Sequence, residues 1–485
     1  MTAADRSTHS PRRRGAKIVA TLGPASSRPE MIRALVAAGL DVARLNFSHG
    51  DHASLQELVR FVREAQEAAG RPIAILGDLQ GPKIRIGPLP EPIQLVPGTP
   101  LRLTTASTSH HPAGVIHCDY PGLADDVRPG DCIFLRDGEI ELEVMDSGDA
   151  LINTEVRSGG LLTSRAGMNV PGVALRLPSL TDKDRADIAF AVEQEIDYLA
   201  MSFVRNVDDI GLVRREIEAR ASRIGIIAKI ENAHALEELD PIVAAADGVM
   251  VARGDLGVEV GAENVPVWQR RIIQAARRKI VPVITATQML ESMVTRARPT
   301  RAEASDIANA VWDGTDALML SAETAVGAYP LESVQMMDRI ARRAEAEESE
   351  RDSPTFEQEW ASDPSRSISW AVRQIIEKNP AVRGVIAFTV SGYTGRLIAK
   401  DRMSVPVLVL APEASVEQRA ALLWGVQPVR CPPPRDLESM LAIVDRIARV
   451  TLGCDGGDSV VVVGGLPLGR GMPTNFLKLH QVAAS

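Results

Sequence analysis

The chain has 485 residues, too many for one ordinary core, so its length implies two or three domains or one large barrel with additions. Hydrophobic residues make up 45% and charged residues 24%, which suits a soluble globular chain and argues against long disordered stretches. With 54 Lys+Arg against 63 Asp+Glu the net charge is -9, which disfavours protein-wide attraction to nucleic acid or an anionic membrane and leaves local basic patches for phosphates.

The chain opens on "MTAADRSTHSPRRRGAK", three consecutive arginines with no apolar run behind them, which is no secretory signal and predicts a disordered arm over residues 1–14. Cys118, Cys132, Cys431 and Cys454 are far apart and form no CxxC, so neither a disulfide framework nor a zinc site is indicated, and a reducing cytoplasm fits. No stretch approaches the ~20 apolar residues that span a bilayer.

From "GAKIVATLG" onward, Val/Ile/Leu-rich runs alternate with amphipathic segments, the pattern of βα units on a parallel sheet. Strands are predicted at 16–22, 41–47, 72–78, 198–203, 225–230, 248–253, 281–286 and 316–321. Helices are predicted at 29–38, 54–69, 183–194, 207–220, 234–245, 264–279, 302–312 and 331–348, with "RPTR" as the cap region of the 302–312 segment. Eight such units over 15–83 and 169–348 predict an α/β fold, a TIM (β/α)8 barrel with its site at the C-terminal face. Residues 84–168 alternate with period two and carry turn signals, Asp137-Gly138 in "IFLRDGEIELEV" among them, so an all-β domain is inserted where it can act as a lid. After the linker "EAEESERDSPTFEQEW", a second βα series with strands in "GVIAFTV", "VPVLVLA", "GVQPVRC" and "SVVVVGG" predicts a smaller C-terminal α/β domain over 349–485.

Polar residues collect where the barrel strands end: "ARLNFSHG", "GDLQGPKIR", "AKIEN", "ARGDLG", "TATQ" and "LSAET". Loops at this face carry function in such barrels. Glu231 and Asp255 end adjacent strands, and hard oxygen ligands of this kind suit Mg²⁺ or Mn²⁺ with substrate and water completing the shell. Arg44, Arg85, Lys229 and Arg253 supply positive charge for an anionic, phosphorylated substrate. A carboxylate-bound metal facing cations is what phosphoryl transfer needs, because positioning and charge stabilisation lower its barrier.

Over residues 15 to 485 the chain closely resembles the pyruvate kinases. The motifs "KIVATLGPASS", "ARLNFSHG", "IAKIEN", "VARGDLGVE", "TATQMLESM" and "LMLSAETAVGAYPLE" stand in that family's order. The resemblance implies transfer of the phosphoryl group of phosphoenolpyruvate to ADP, giving pyruvate and ATP. It makes Arg44 and Lys229 the residues that hold the phosphoryl group, Glu231 and Asp255 the divalent-metal ligands, and Gly254 an amide contact to the substrate carboxylate. Thr287 is then the hydroxyl beside the enolate, with Ser321 and Glu323 as further members of a proton relay. Arg85, with Asn46 and His49, belongs to the nucleotide site. Asn46, Ser48 and Asp78 match a monovalent-cation pocket. The family is commonly a cytoplasmic homotetramer.

Three departures stand out. Leu79, Gln80 and Lys83 occupy positions where potassium-requiring members have Thr, Lys and Glu, so Lys83 is expected to replace K⁺ with its own ammonium; the alternative is that Lys83 points into solvent. Ala166 stands where the family has a nucleotide-contacting Lys, with Arg165 beside it as a substitute. Ala322 replaces a common Gly, which matters if the position needs a positive φ. In the C-terminal domain, "FTVSGYTGR" offers Thr389, Ser391, Thr394 and the amides around Gly392 as a phosphate cradle ahead of a helix, resembling the family's site for a sugar-phosphate or nucleotide effector. "VVVVGGLPLGRG" lacks the Lys and Ser/Thr of a P-loop. From the residues alone, a metal-dependent lyase or aldolase acting on pyruvate enolate and a silent sugar-phosphate sensor remain alternatives; neither needs the full set of Lys229, both carboxylates, Arg85 and a β lid.

Overall fold

Eight short apolar runs close into one parallel barrel. The computed structural model describes residues 14–106, 114–348 and 363–484. Around the barrel the strands are Lys17–Leu22, Ala317–Leu320, Val283–Ala286, Gly248–Ala252, Gly225–Ile230, Tyr198–Met201, Ala74–Asp78 and Val42–Asn46, each followed in sequence by helix or by the inserted sheet. Most strand residues are buried on both faces, as parallel strands under helices require, and that is why they read as continuous Val/Ile/Ala/Leu runs. Helix boundaries follow local chemistry. Asp51 caps His52–Ala69 through the Ser54 amide at 2.8 Å, and Thr300 with Glu303 forms a capping box at Arg301–Asp313, where "RPTR" had placed the start.

The chain divides into two compact units. One holds the described residues up to Gly77, Glu193–Leu199 and everything from Ala276 onward; the other holds Asp78–Val192 and Ala200–Ala275. In the second unit the inserted segment forms a seven-stranded sheet, from Ile84–Arg85 at one edge to Val115–His117 at the other, plus the pair Ile93–Leu95 and Gly160–Leu162. Leu103, Ile133, Leu135, Ile140, Leu142 and Ile152 are fully buried at its core. The hairpin forms as predicted, Leu135 opposite Ile140, with Asp137 and Gly138 at φ 54° and 91°. One turn of helix, Leu123–Asp126, interrupts the β pattern.

In the first unit a five-stranded sheet runs in the order Val426–Arg430, Val407–Ala411, Val382–Phe388, Ser459–Gly464, Phe476–Gln481. The last strand, antiparallel and at the edge, was not among the predicted ones: it follows a Gly/Pro-rich loop and breaks the βα alternation that located the others. This sheet and the helix Tyr393–Lys400 with the turn after it meet the barrel through polar contacts that are buried or half-buried. Lys400 pairs with Asp316, Arg402 donates to the carbonyls of Val311 and Thr315, and Lys17 Nζ donates to Val426 O at 2.7 Å.

Three expectations are corrected. Arg14 is not part of a disordered arm: it is buried, bonded to Asp41, Asp338 and the Gly39 carbonyl. The remainder of that arm lies outside the described residues, as do residues 349–362, which take in most of the expected linker; its first four residues end the helix Pro330–Glu348. The helix expected over 234–245 is two, Ala233–Glu237 and Leu239–Ala245, because Pro241 has no N–H to give and its ring crowds the carbonyl one turn back. The sixth barrel strand stops at Ala252, and Arg253 opens the helix Arg253–Val260, so Gly254 and Asp255 lie in a first helical turn.

Candidate active site

Lys229 points from the end of Gly225–Ile230 into a pocket of oxygens. Its Nζ donates to Ser202 Oγ at 2.8 Å and lies 2.8 Å from Glu231 Oε1 and 3.4 Å from Asp78 Oδ1. Ser202 passes its own proton to the Leu79 carbonyl at 2.8 Å, so its oxygen lone pairs face the ammonium. Glu231 is 1% exposed, and its Oε2 accepts the Phe203 amide at 2.7 Å. That amide is aimed by a left-handed backbone at Phe203, φ 56°, a conformation that costs a bulky residue roughly 1 kcal/mol or more. Burial pushes the Glu231 carboxyl above its ordinary range; Lys229 opposes the shift and Asp255 adds to it.

This donor set fits a divalent cation. Glu231 is buried, Asp255 is half-buried, and their charges repel, so a hard cation would relieve both the repulsion and the burial. Among the described residues no three His, Cys, Asp or Glu side chains converge on one point, so the rest of an octahedral shell has to come from substrate and water, the usual arrangement for Mg²⁺.

The other cations of this unit have contacts of their own. Arg253 is buried, its guanidinium bonded to Gln269 at 3.3 Å. Arg85 donates to the Arg165 carbonyl at 3.2 Å, within the inserted sheet. Lys83 Nζ lies 3.9 Å from Asp137 Oδ1 of the hairpin, and its stem runs against Gly167, where a Cβ would stand 2.9 Å from Cε. Leu79 is 2% exposed and Ala166 is buried, and neither side chain offers a polar group to a ligand.

In the first unit, Arg44 lies beside Thr21 in the strand register and donates to its hydroxyl at 2.8 Å. The strand then turns: Asn46 Oδ1 accepts the Ser48 amide at 3.1 Å and Asn46 O the His49 amide at 3.2 Å, leaving the His49 side chain exposed. At the end of Val283–Ala286, Thr287 and Gln288 are both left-handed, φ 66° and 54°, and Thr287 Oγ1 donates to the Ala286 carbonyl at 2.7 Å. A β-branched residue there is a genuine outlier, and such strain collects at functional sites. Glu323 is fully buried, accepting the Leu290 amide at 3.0 Å and the Ser321 amide at 2.7 Å, while Ser321 Oγ is buried without a hydrogen-bond partner among the described residues. Ala322 begins the short helix Ala322–Ala325, so its methyl meets no left-handed backbone and the concern over the missing glycine falls away.

The C-terminal domain carries a cavity of about 390 Å³. Thr389, Ser391 and Thr394 line one corner, at the N-terminus of the helix Tyr393–Lys400, with Gly392 at φ 88° and its amide bonded to Thr389 Oγ1. Pro433, Pro434, Leu468 and Met472 form an apolar wall, and Glu413 is the one charged side chain of the lining.

Comparison with known proteins decides what these strand ends belong to. A family model described as "Pyruvate kinase, barrel domain" matches residues 13–334, and one described as "Pyruvate kinase, alpha/beta domain" matches 366–480. The chain belongs to the pyruvate kinase family. The pyruvate kinase of Geobacillus stearothermophilus is 43% identical over 97% of this chain and 81% of its own. Those of Corynebacterium glutamicum and Mycobacterium tuberculosis are each 42% identical, over 96% and 97% of this chain and 97% and 98% of theirs. This membership makes the protein a phosphotransferase enzyme and removes the lyase and sensor alternatives.

Sequence reasoning missed Ser202, Phe203 and Thr21. The polar ends of the first and fourth strands, "ATLG" and "AMSFV", carried a signal for the two hydroxyls. Nothing in a phenylalanine announces a left-handed backbone.

Proposed function

We propose that the protein transfers the phosphoryl group of phosphoenolpyruvate to ADP, giving pyruvate and ATP, in the cytoplasm and as a homotetramer. The observation that carries this is Lys229, held by Ser202, Glu231 and Asp78 so that its ammonium cannot swing away. A terminal oxygen of ADP bonds to phosphorus as the bond from phosphorus to the enol oxygen breaks. The electron pair leaves on that oxygen, and the enolate carbon then takes a proton. Lys229 and Arg44 would stabilise charge on the moving group, each side chain held by hydrogen bonds within its own unit. Glu231 and Asp255 would hold Mg²⁺ or Mn²⁺, which would supply Lewis-acid stabilisation of developing charge. The first-turn amides around Gly254 suit the substrate carboxylate, because helix N-termini favour anions. Arg85, with Asn46 and His49, serves the nucleotide. Thr287 orders the water that delivers the proton.

We further infer that K⁺ is not required. The support is the extra positive charge of Lys83, together with the buried, apolar side chain of Leu79 where potassium-requiring members carry a hydroxyl. Regulation is assigned to the C-terminal cavity, whose hydroxyls and helix N-terminus suit a phosphate of a sugar-phosphate or nucleotide effector. The test is pyruvate formation from phosphoenolpyruvate and ADP with Mg²⁺: wild type turns over, and Lys229→Met loses on the order of 10²–10³ in kcat. Equal turnover by both would remove Lys229 from the chemistry.

A further inference from the structure

Glu323 was expected in the proton relay, but both of its oxygens are already engaged. Oε1 accepts the Leu290 amide, which belongs to the loop after Val283–Ala286, and Oε2 accepts the Ser321 amide, which follows Ala317–Leu320. The side chain is 0% exposed. Its neighbour Thr324 donates to the Thr21 carbonyl at 2.9 Å, and Thr21 in turn receives Arg44. One turn of helix, Ala322–Ala325, therefore fastens the ends of three barrel strands.

The fastening has a mechanical purpose. Between Ala286 and Leu290 the chain reverses through Thr287 and Gln288 in the left-handed region, then buries Met289 and Leu290 completely. Two consecutive non-glycine residues there relax toward negative φ unless something over-determines them. The Leu290 amide is also a buried donor that needs an acceptor. Glu323 supplies that acceptor and anchors the far end of the reversal. Through its other oxygen it fixes Ser321, whose buried Oγ has no hydrogen-bond partner among the described residues.

We propose that Glu323 is a positioning residue, not a proton donor: it holds Thr287 and Ser321 in register so that one water between them can protonate the enolate carbon. The water gives its proton to that carbon, and the resulting hydroxide is neutralised by exchange with solvent. This rests on the phosphotransferase reading above.

Two measurements test it. Hydrogen exchange on the wild-type protein should show the amides of residues 290 and 321 among the slowest of their loops; fast exchange at either overturns the proposal, whatever the enzyme catalyses. The second compares ATP formation from phosphoenolpyruvate with exchange of the methyl protons of pyruvate, across pH, in Glu323→Gln and Glu323→Asp. Gln can accept with one oxygen only and Asp is a methylene short, so both should lose at least tenfold more in proton exchange than in phosphoryl transfer, with the limbs of the pH profile unmoved. Two results overturn the proposal: a limb lost in the Gln variant and kept in the Asp variant, which marks a titrating donor, or equal loss in both reactions. Wild-type protein that makes no pyruvate would instead remove the phosphotransferase reading and leave the amide exchange to decide the positioning role.

Discussion

Lys17 begins the first barrel strand with its ammonium buried, donating to the Val426 carbonyl. Burial pulls it down from its ordinary 10.5 to about 8, with Asp41 opposing the shift. The sign of its effect on stability follows. Between pH 8 and 10.5 the unfolded chain holds a proton that the folded one has released, so rising pH favours the fold. Thermal midpoints of wild type and Lys17→Met, compared between pH 7.5 and 9.5, should therefore diverge in favour of wild type as pH rises; a constant difference would contradict the burial cost. At this scale the sequence was informative wherever chemistry lies in residue type. Lys229 and Glu231 share one face of a strand end, and the structure brings them to 2.8 Å. It was silent wherever chemistry lies in a backbone angle, as at Phe203 and Gln288, because the sign of φ at a non-glycine residue is set by the surrounding packing.

The helix Tyr393–Lys400 joins the C-terminal cavity, at its first residues, to a buried ion pair at its last, where Lys400 meets Asp316 just before the eighth barrel strand. Removing one partner strands the other charge out of water. Lys400→Met should cost about 3–5 kcal/mol in urea unfolding, and a loss below 1 kcal/mol would show that the pair is solvated. At the helix's other end, a cavity lined by hydroxyls, apolar side chains and one carboxylate offers good terms to one phosphate and poor terms to two. In calorimetry a monophosphate such as AMP or ribose 5-phosphate should bind at least tenfold more tightly than fructose 1,6-bisphosphate; the reverse order would place a cation in the site. The pattern of strands and helices in this domain was legible because apolar runs of four to six residues alternate with amphipathic ones. The edge strand Phe476–Gln481 escaped because no helix precedes it, and the pairing that makes it a strand is non-local.

The eight barrel strands, the inserted sheet and the second α/β series were all visible in sequence, because burial on both faces leaves an unmistakable apolar run at each barrel strand. What the pattern could not supply was side-chain direction. Arg253 turns inward to Gln269, and Lys83 meets Asp137, whereas Asp78, Ser202 and Glu231 converge on Lys229. The close packing of the barrel is itself testable. A Cβ on Gly77 would stand 2.5 Å from the Phe47 ring, so Gly77→Val should overpack the core and cost about 1–3 kcal/mol in the same urea assay.

We propose phosphoryl transfer at Lys229 with a divalent metal and without K⁺. The most direct measurement is pyruvate formation from phosphoenolpyruvate and ADP with Mg²⁺, in buffer free of potassium and sodium, for wild type and Lys229→Met, with and without added K⁺. The predicted result is wild-type turnover that K⁺ does not change and that the substitution lowers on the order of 10²-fold or more. Turnover that appears only with K⁺ would contradict the role given to Leu79 and Lys83, and wild-type protein that makes no pyruvate in either buffer would contradict the account as a whole.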